Sequence, residues 1–161
     1  MKNEGKIKNY LSASFGWNVE IEFVPVAEEY LTERCVSDFK RIRNGEFRLS
    51  AQRFNEEHLK CRAFIEKAVS ESKASKIIVA THHVPSFVLM STEFKKSSIN
   101  GAFTVEVGEY IAESPIDYWI YGHSHRNIDK TIGKTQCVSN QLGYVFNNEH
   151  LTFRPDAVIE I

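Results

Sequence analysis

The chain has 161 residues, 42% of them hydrophobic and 25% charged, and 20 basic against 21 acidic residues leave a net charge of −1. That balance excludes an intrinsically disordered tail and gives no electrostatic footprint for nucleic acid. No apolar run approaches the roughly 18 residues needed to span a bilayer, and the basic start Met1–Lys6 lacks the apolar stretch of a signal peptide. Length predicts one domain over 1–161 with a real core. Cys35, Cys61 and Cys137 lie far apart and are odd in number, which predicts reduced thiols in a cytoplasmic protein.

Residues 1–18 show no sustained period. Val19–Val24 alternates apolar with acidic residues and predicts a short strand. From Ala27 to Ile42, Leu31, Cys35, Phe39 and Ile42 fall three or four apart, the spacing of a helix with one apolar stripe. Asn44-Gly45 breaks that pattern, and Ser50 is placed to cap a second helix running to about Ser72. Its apolar face is Phe54, Cys61, Ile65, Ala68 and Val69, with His58 at the boundary rather than as a ligand. Lys76–Thr81 is a continuous β-branched run, which suits a strand buried on both faces. Thr104–Ala112 reads as a helix ended by Pro115, and Asp117–Tyr121 as a second apolar strand. Ile128–Thr131 and Thr135–Val138 read as a hairpin about Gly133-Lys134. Tyr144–Phe146 and Ala157–Ile161 are expected to be further short strands. The mixture is α/β, with helices in the first half and strands in the second.

Six histidines are present, and four of them occupy Thr81-His82-His83-Val84-Pro85 and Gly122-His123-Ser124-His125. Each segment follows a strand of buried type, and ligand crevices in open α/β sheets lie at the carboxyl ends of strands. Two such pairs point to a metal or phosphate site, with metal-free acid–base chemistry as the alternative and purely structural histidines as a third reading. Imidazole suits Zn, Fe, Mn or Ni better than Ca or Mg.

At these residues the sequence resembles the calcineurin-like metallophosphoesterase superfamily. Ile77–Pro85 is similar to its strand-then-His block, Tyr121–His125 to its Gly-His-x-His block, and Thr135–Tyr144 to the strand-then-Asn-x-x-Gly-Tyr stretch of many bacterial members. The motif-bearing part is 76–146. The resemblance implies a sandwich of two mixed β-sheets flanked by helices, with two divalent transition metal ions (Mn, Fe or Zn) at one edge. It implies that His82 and His123 bind one ion and His125 the other. His83 would orient a phosphate oxygen, protonate the leaving group or merely pack, and Arg126 is placed for phosphate because its fork bonds two oxygens. The implied activity is hydrolysis of a phosphate mono- or diester by a metal-activated water.

The family's Asp-x-His, Gly-Asp-x-x-Asp and Gly-Asn-His blocks have no counterpart here, and only Asp38, Asp117, Asp129 and Asp156 are aspartates. The expectation is therefore a domain incomplete at its amino-terminal side, the carboxyl-terminal portion of an enzyme or an inactive remnant that binds metal or a partner. The sheet edge so exposed would be covered by a homodimer or a complementing chain.

Overall fold

The structure, a computed structural model, describes residues 28–161. The strand expected at Val19–Val24 lies outside the described residues. The expected first helix is two helices, α1 (Glu28–Cys35) and α2 (Asp38–Arg41). Ser37 and Asp38, whose short polar side chains compete with helical backbone bonds, stand at the break. Of the expected stripe only Phe39 is buried, edge-on to Phe54 with ring centroids 5.7 Å apart, while Cys35 and Ile42 are exposed.

Asn44-Gly45 opens the turn of a small antiparallel hairpin, β1 (Arg43–Asn44) and β2 (Phe47–Arg48). Ser50 then caps α3 (Ala51–Glu71), accepting the Arg53 N–H at 3.2 Å as its position predicts. The Glu33 carboxylate accepts the Ala51 N–H at 2.7 Å and ties α1 to this helix start. The outer face of α3 carries spaced ion pairs such as Arg53–Glu57 and Arg62–Glu66, both at 2.7 Å. Its apolar face is only partly covered. Val69 joins the core, but Cys61 and Ala68, members of the expected apolar face, are exposed, and outside that face Phe64 is 72% exposed.

The main sheet has four strands in the order β3 (Ile78–Ala80), β4 (Tyr118–Ile120), β6 (Thr135–Val138), β5 (Lys130–Ile132). β3, β4 and β6 run parallel, and β5 returns antiparallel to β6 as the expected hairpin. β3 is not buried on both faces, with Val79 inside and Ile78 42% exposed, and among the described residues it lies at the end of the sheet. A β-branched run records strand propensity but does not distinguish a central strand from an edge. Between β3 and β4, helix α4 is limited to Gly108–Glu113 rather than beginning at Thr104. Thr104 bridges to Val84, and Glu106 accepts from Ser86 Oγ (2.9 Å), the Phe87 N–H and the Gly108 N–H (both 2.8 Å), so this stretch bonds outside a helix. The helix ends before Pro115, where Ser114 turns extended as a residue preceding proline does.

Val79, Val84, Leu89, Ile111, Ile116, Trp119 and Cys137 make the core beneath this sheet. Buried Thr135 is satisfied by donating to the Ile116 carbonyl at 2.8 Å. After β6 the expected strands are absent among the described residues. Val145–Asn147 is a 3-10 turn, preceded by a Tyr144 N–H that is taken by the Glu149 carboxylate rather than by a strand, and Ala157–Ile161 is irregular. The described residues form an α/β arrangement with one two-stranded antiparallel and one four-stranded mixed sheet. No helix among the described residues is long and apolar enough to cross a membrane.

Two outcomes check this architecture. Gly133 turns the β5–β6 hairpin at φ +59°, and a Cβ there would lie 2.5 Å from the Ala112 carbonyl oxygen. Gly133→Ala should cost about 2–4 kcal/mol, from left-handed strain plus displacement of α4, read as a lowered urea midpoint. A thiol reagent should label Cys35 and Cys61 in the native protein. Burial pushes the Cys137 thiol up to about 11, so it should react only on unfolding.

Candidate metal centre

The pairing of β3 with β4 continues past the strands themselves. Thr81 N–H donates to the Ile120 carbonyl at 2.9 Å, and Gly122 N–H donates to the His82 carbonyl at 3.0 Å. Trp119 Nε1 donates to Thr81 Oγ1 at 2.9 Å from below. The two histidine segments, 41 residues apart in sequence, are thus stitched together where the strands end. His82 Nε2 and His123 Nδ1 face each other at 2.7 Å.

His83 packs on the same cluster, its ring centroid 4.6 Å from that of His123 and 5.2 Å from that of His82. Phe54 closes it edge-on at 5.6 Å, and Phe103 stacks on His123 at 5.1 Å. Burial lowers the pKa of His83, with His82 adding to it. Burial and then the neighbouring His83 and His82 push His123 down to about 4. Both shifts favour the neutral imidazole at His83 and His123 at pH 7.

The turn holding the second segment is strained. Ser124 N–H donates to the Gly122 carbonyl at 2.8 Å, closing a three-residue turn on His123 at φ +68°, and His125 sits at φ +53°. Left-handed non-glycine residues cost of order 1–3 kcal/mol each and persist only where the surroundings impose them. Gln141 and Asn127 impose them here. Gln141 Oε1 accepts the His125 N–H at 2.9 Å while its Nε2 donates to the Arg126 carbonyl at 3.0 Å. Asn127 Oδ1 in turn accepts the Gln141 N–H at 2.6 Å. The glycine of the motif is not where the strain falls: a Cβ on Gly122 would meet its nearest neighbour at 3.5 Å, an ordinary contact.

His125 and Arg126 belong to a second group. His125 Nδ1 lies 2.9 Å from Glu149 Oε2, and Tyr144 packs edge-on to its ring at 4.7 Å. Arg126 donates through Nε to the Glu93 carboxylate, lies 3.7 Å from Glu149 Oε1 and stands over Phe94. Its fork already has carboxylate partners. Among the described residues no three His, Cys, Asp or Glu side chains close into one metal-holding group.

The residues fit a metal at the first pair. Two nitrogens on one zinc at about 2.0–2.1 Å stand roughly 3.3 Å apart in a tetrahedral shell, so a small opening of the 2.7 Å pair admits an ion. Sequence reasoning found the histidines but missed Gln141, Asn127 and Glu149 as the groups that hold them. The conformational cue, left-handed backbone at two histidines, has no sequence signature. No family model matches the chain, and no curated protein or solved structure matches it either.

The neutral cluster predicts an acid-sensitive fold. His123 titrates near 6.5 when unfolded and about 4 when folded, so between those values the unfolded chain binds more protons. Stability of the metal-free protein should be full above about pH 6.5 and fall as the pH drops toward about 4. His123→Asn, which tolerates the left-handed backbone, should flatten that slope in urea midpoints taken at several pH values. An unchanged slope would contradict the assignment.

Proposed function

We propose that the chain is a metal-dependent phosphoesterase of the calcineurin-like type, hydrolysing a phosphate mono- or diester, or the carboxyl-terminal portion of one. The observation that carries this reading is the 2.7 Å approach of His82 Nε2 to His123 Nδ1, from two segments that leave adjacent parallel strands. On this reading the four-stranded sheet is one layer of a two-sheet sandwich, and the open edge at β3 is where a second copy or a complementing chain adds. Free thiols at Cys35, Cys61 and Cys137 support a cytoplasmic setting.

His82 and His123 would hold one ion, Mn, Fe or Zn, and His125 would serve a second. When bound, such ions supply an activated water and positive charge for the phosphate oxygens. The chain's own groups do the rest. His83, neutral and half-buried against the pair, orients a phosphate oxygen or takes up a proton. Because Arg126 is engaged by Glu93 and Glu149, it reaches phosphate only by exchanging those partners. The loop that follows His83 lines an open groove of about 660 Å³ with Phe87, Val88, Met90 and Lys95, within the size range of small-molecule sites.

A second reading is a catalytically inactive remnant that binds metal or a partner protein. It is favoured by the separation of His82–His123 from His125–Glu149, which leaves each group short of a full ligand shell. Metal stoichiometry separates the two. Two tightly held ions per chain, lost in His82→Ala/His123→Ala and accompanied by hydrolysis of an aryl phosphate, are expected of the enzyme. One weakly held ion without turnover is the signature of a metal-binding remnant, and no ion at all would overturn the enzyme and leave only a remnant that binds a partner.

A further inference from the structure

The irregular segment after β6 carries a carboxylate back to His125. Glu149 Oε2 lies 2.9 Å from His125 Nδ1 and accepts the Tyr144 N–H at 2.6 Å, while the side chain is 12% exposed. The approach is built into the backbone on both sides. Gly143 stands at φ +63°, and a Cβ there would meet Glu149 Cβ at 2.5 Å, Glu149 Oε2 at 2.9 Å and His125 Cβ at 3.3 Å. Asn148, directly before Glu149, is also left-handed at φ +60°. Glutamate carboxylates are ordinarily ionised at neutral pH, and Glu149 Oε2 faces both the Tyr144 N–H and His125 Nδ1.

An ionised carboxylate only accepts hydrogen bonds, so the imidazole nitrogen that faces it must carry the proton. We propose that Glu149 is a positioning residue that fixes His125 in its Nδ1–H tautomer and leaves Nε2 as the basic, ligating nitrogen. Metal-binding histidines commonly donate their other ring N–H to a carboxylate, which sets the ring's orientation and raises its basicity. Here the partner comes from 24 residues downstream, through a turn that only Gly143 permits. The tautomer follows from these contacts alone. What Nε2 then does rests on the phosphoesterase reading.

The test is long-range ¹H–¹⁵N correlation of the histidine rings in the metal-free protein above pH 8, with His125 assigned by comparison with His125→Gln. The wild type is expected to show the Nδ1–H tautomer at His125. Glu149→Ala should shift it to Nε2–H, and Glu149→Gln, whose amide oxygen can accept the same N–H, should retain it. An Nε2–H signal in the wild type, or no change in Glu149→Ala, overturns the proposal. Should the alanine variant fail to fold, the wild-type and glutamine spectra decide. Zinc affinity by chelator competition should fall about 10–100-fold in Glu149→Ala, with Glu149→Gln closer to wild type. An intact tautomer in a protein that binds no zinc would contradict the phosphoesterase reading and leave the role of Glu149 standing.

Discussion

The parallel pairing of β3 with β4 is the constraint from which the site follows. Strands three residues long would fix little by themselves, but the ladder is extended by Thr81 to Ile120 and by Gly122 to His82. Because parallel strands end on the same side, the two segments leave the sheet together, and each reaches a histidine within three residues of its strand end. Trp119, 2% exposed, anchors the register through Thr81 while filling the core with its ring. Packing below and ligand geometry above are therefore one system. A shift of one residue in either strand would turn one histidine of the pair away from the other.

Two electrostatic environments sit side by side at this sheet end. His82, His83 and His123 cluster with Phe54 and Phe103, and burial favours the neutral form of His83 and His123. Glu93, Arg126 and Glu149 form a chain of alternating charge, and Glu149 also faces His125 Nδ1. Strain at His123 and His125 is borne by Gln141 and Asn127, which bond the turn from below. Such strain is expected where side-chain direction matters more than backbone comfort.

The placing of the two histidine segments at strand ends was legible in the sequence, because apolar runs followed by histidine mark strand ends however the rest of the sheet is arranged. The Ser50 cap and the β5–β6 hairpin were legible for the same local reason. Burial was not. Lys76–Thr81 reads as doubly buried, yet β3 buries Val79 and exposes Ile78 and Ala80, since a β-branched run records strand propensity and not what covers each face. The helix over 27–42 broke at Ser37-Asp38, where local polar chemistry outweighed an apolar spacing. Glu149 was illegible: it acts from a 3-10 turn at a contact separation of 24 residues, where no periodicity applies.

The central claim is that His82 and His123 form half of a metal shell. Anomalous diffraction from a crystal of the zinc- or manganese-loaded protein tests it most directly. The account requires an ion bonded to both His82 Nε2 and His123 Nδ1, with the two nitrogens moved apart from 2.7 Å. An ion bound elsewhere, with the two rings still hydrogen-bonded to each other, would contradict it.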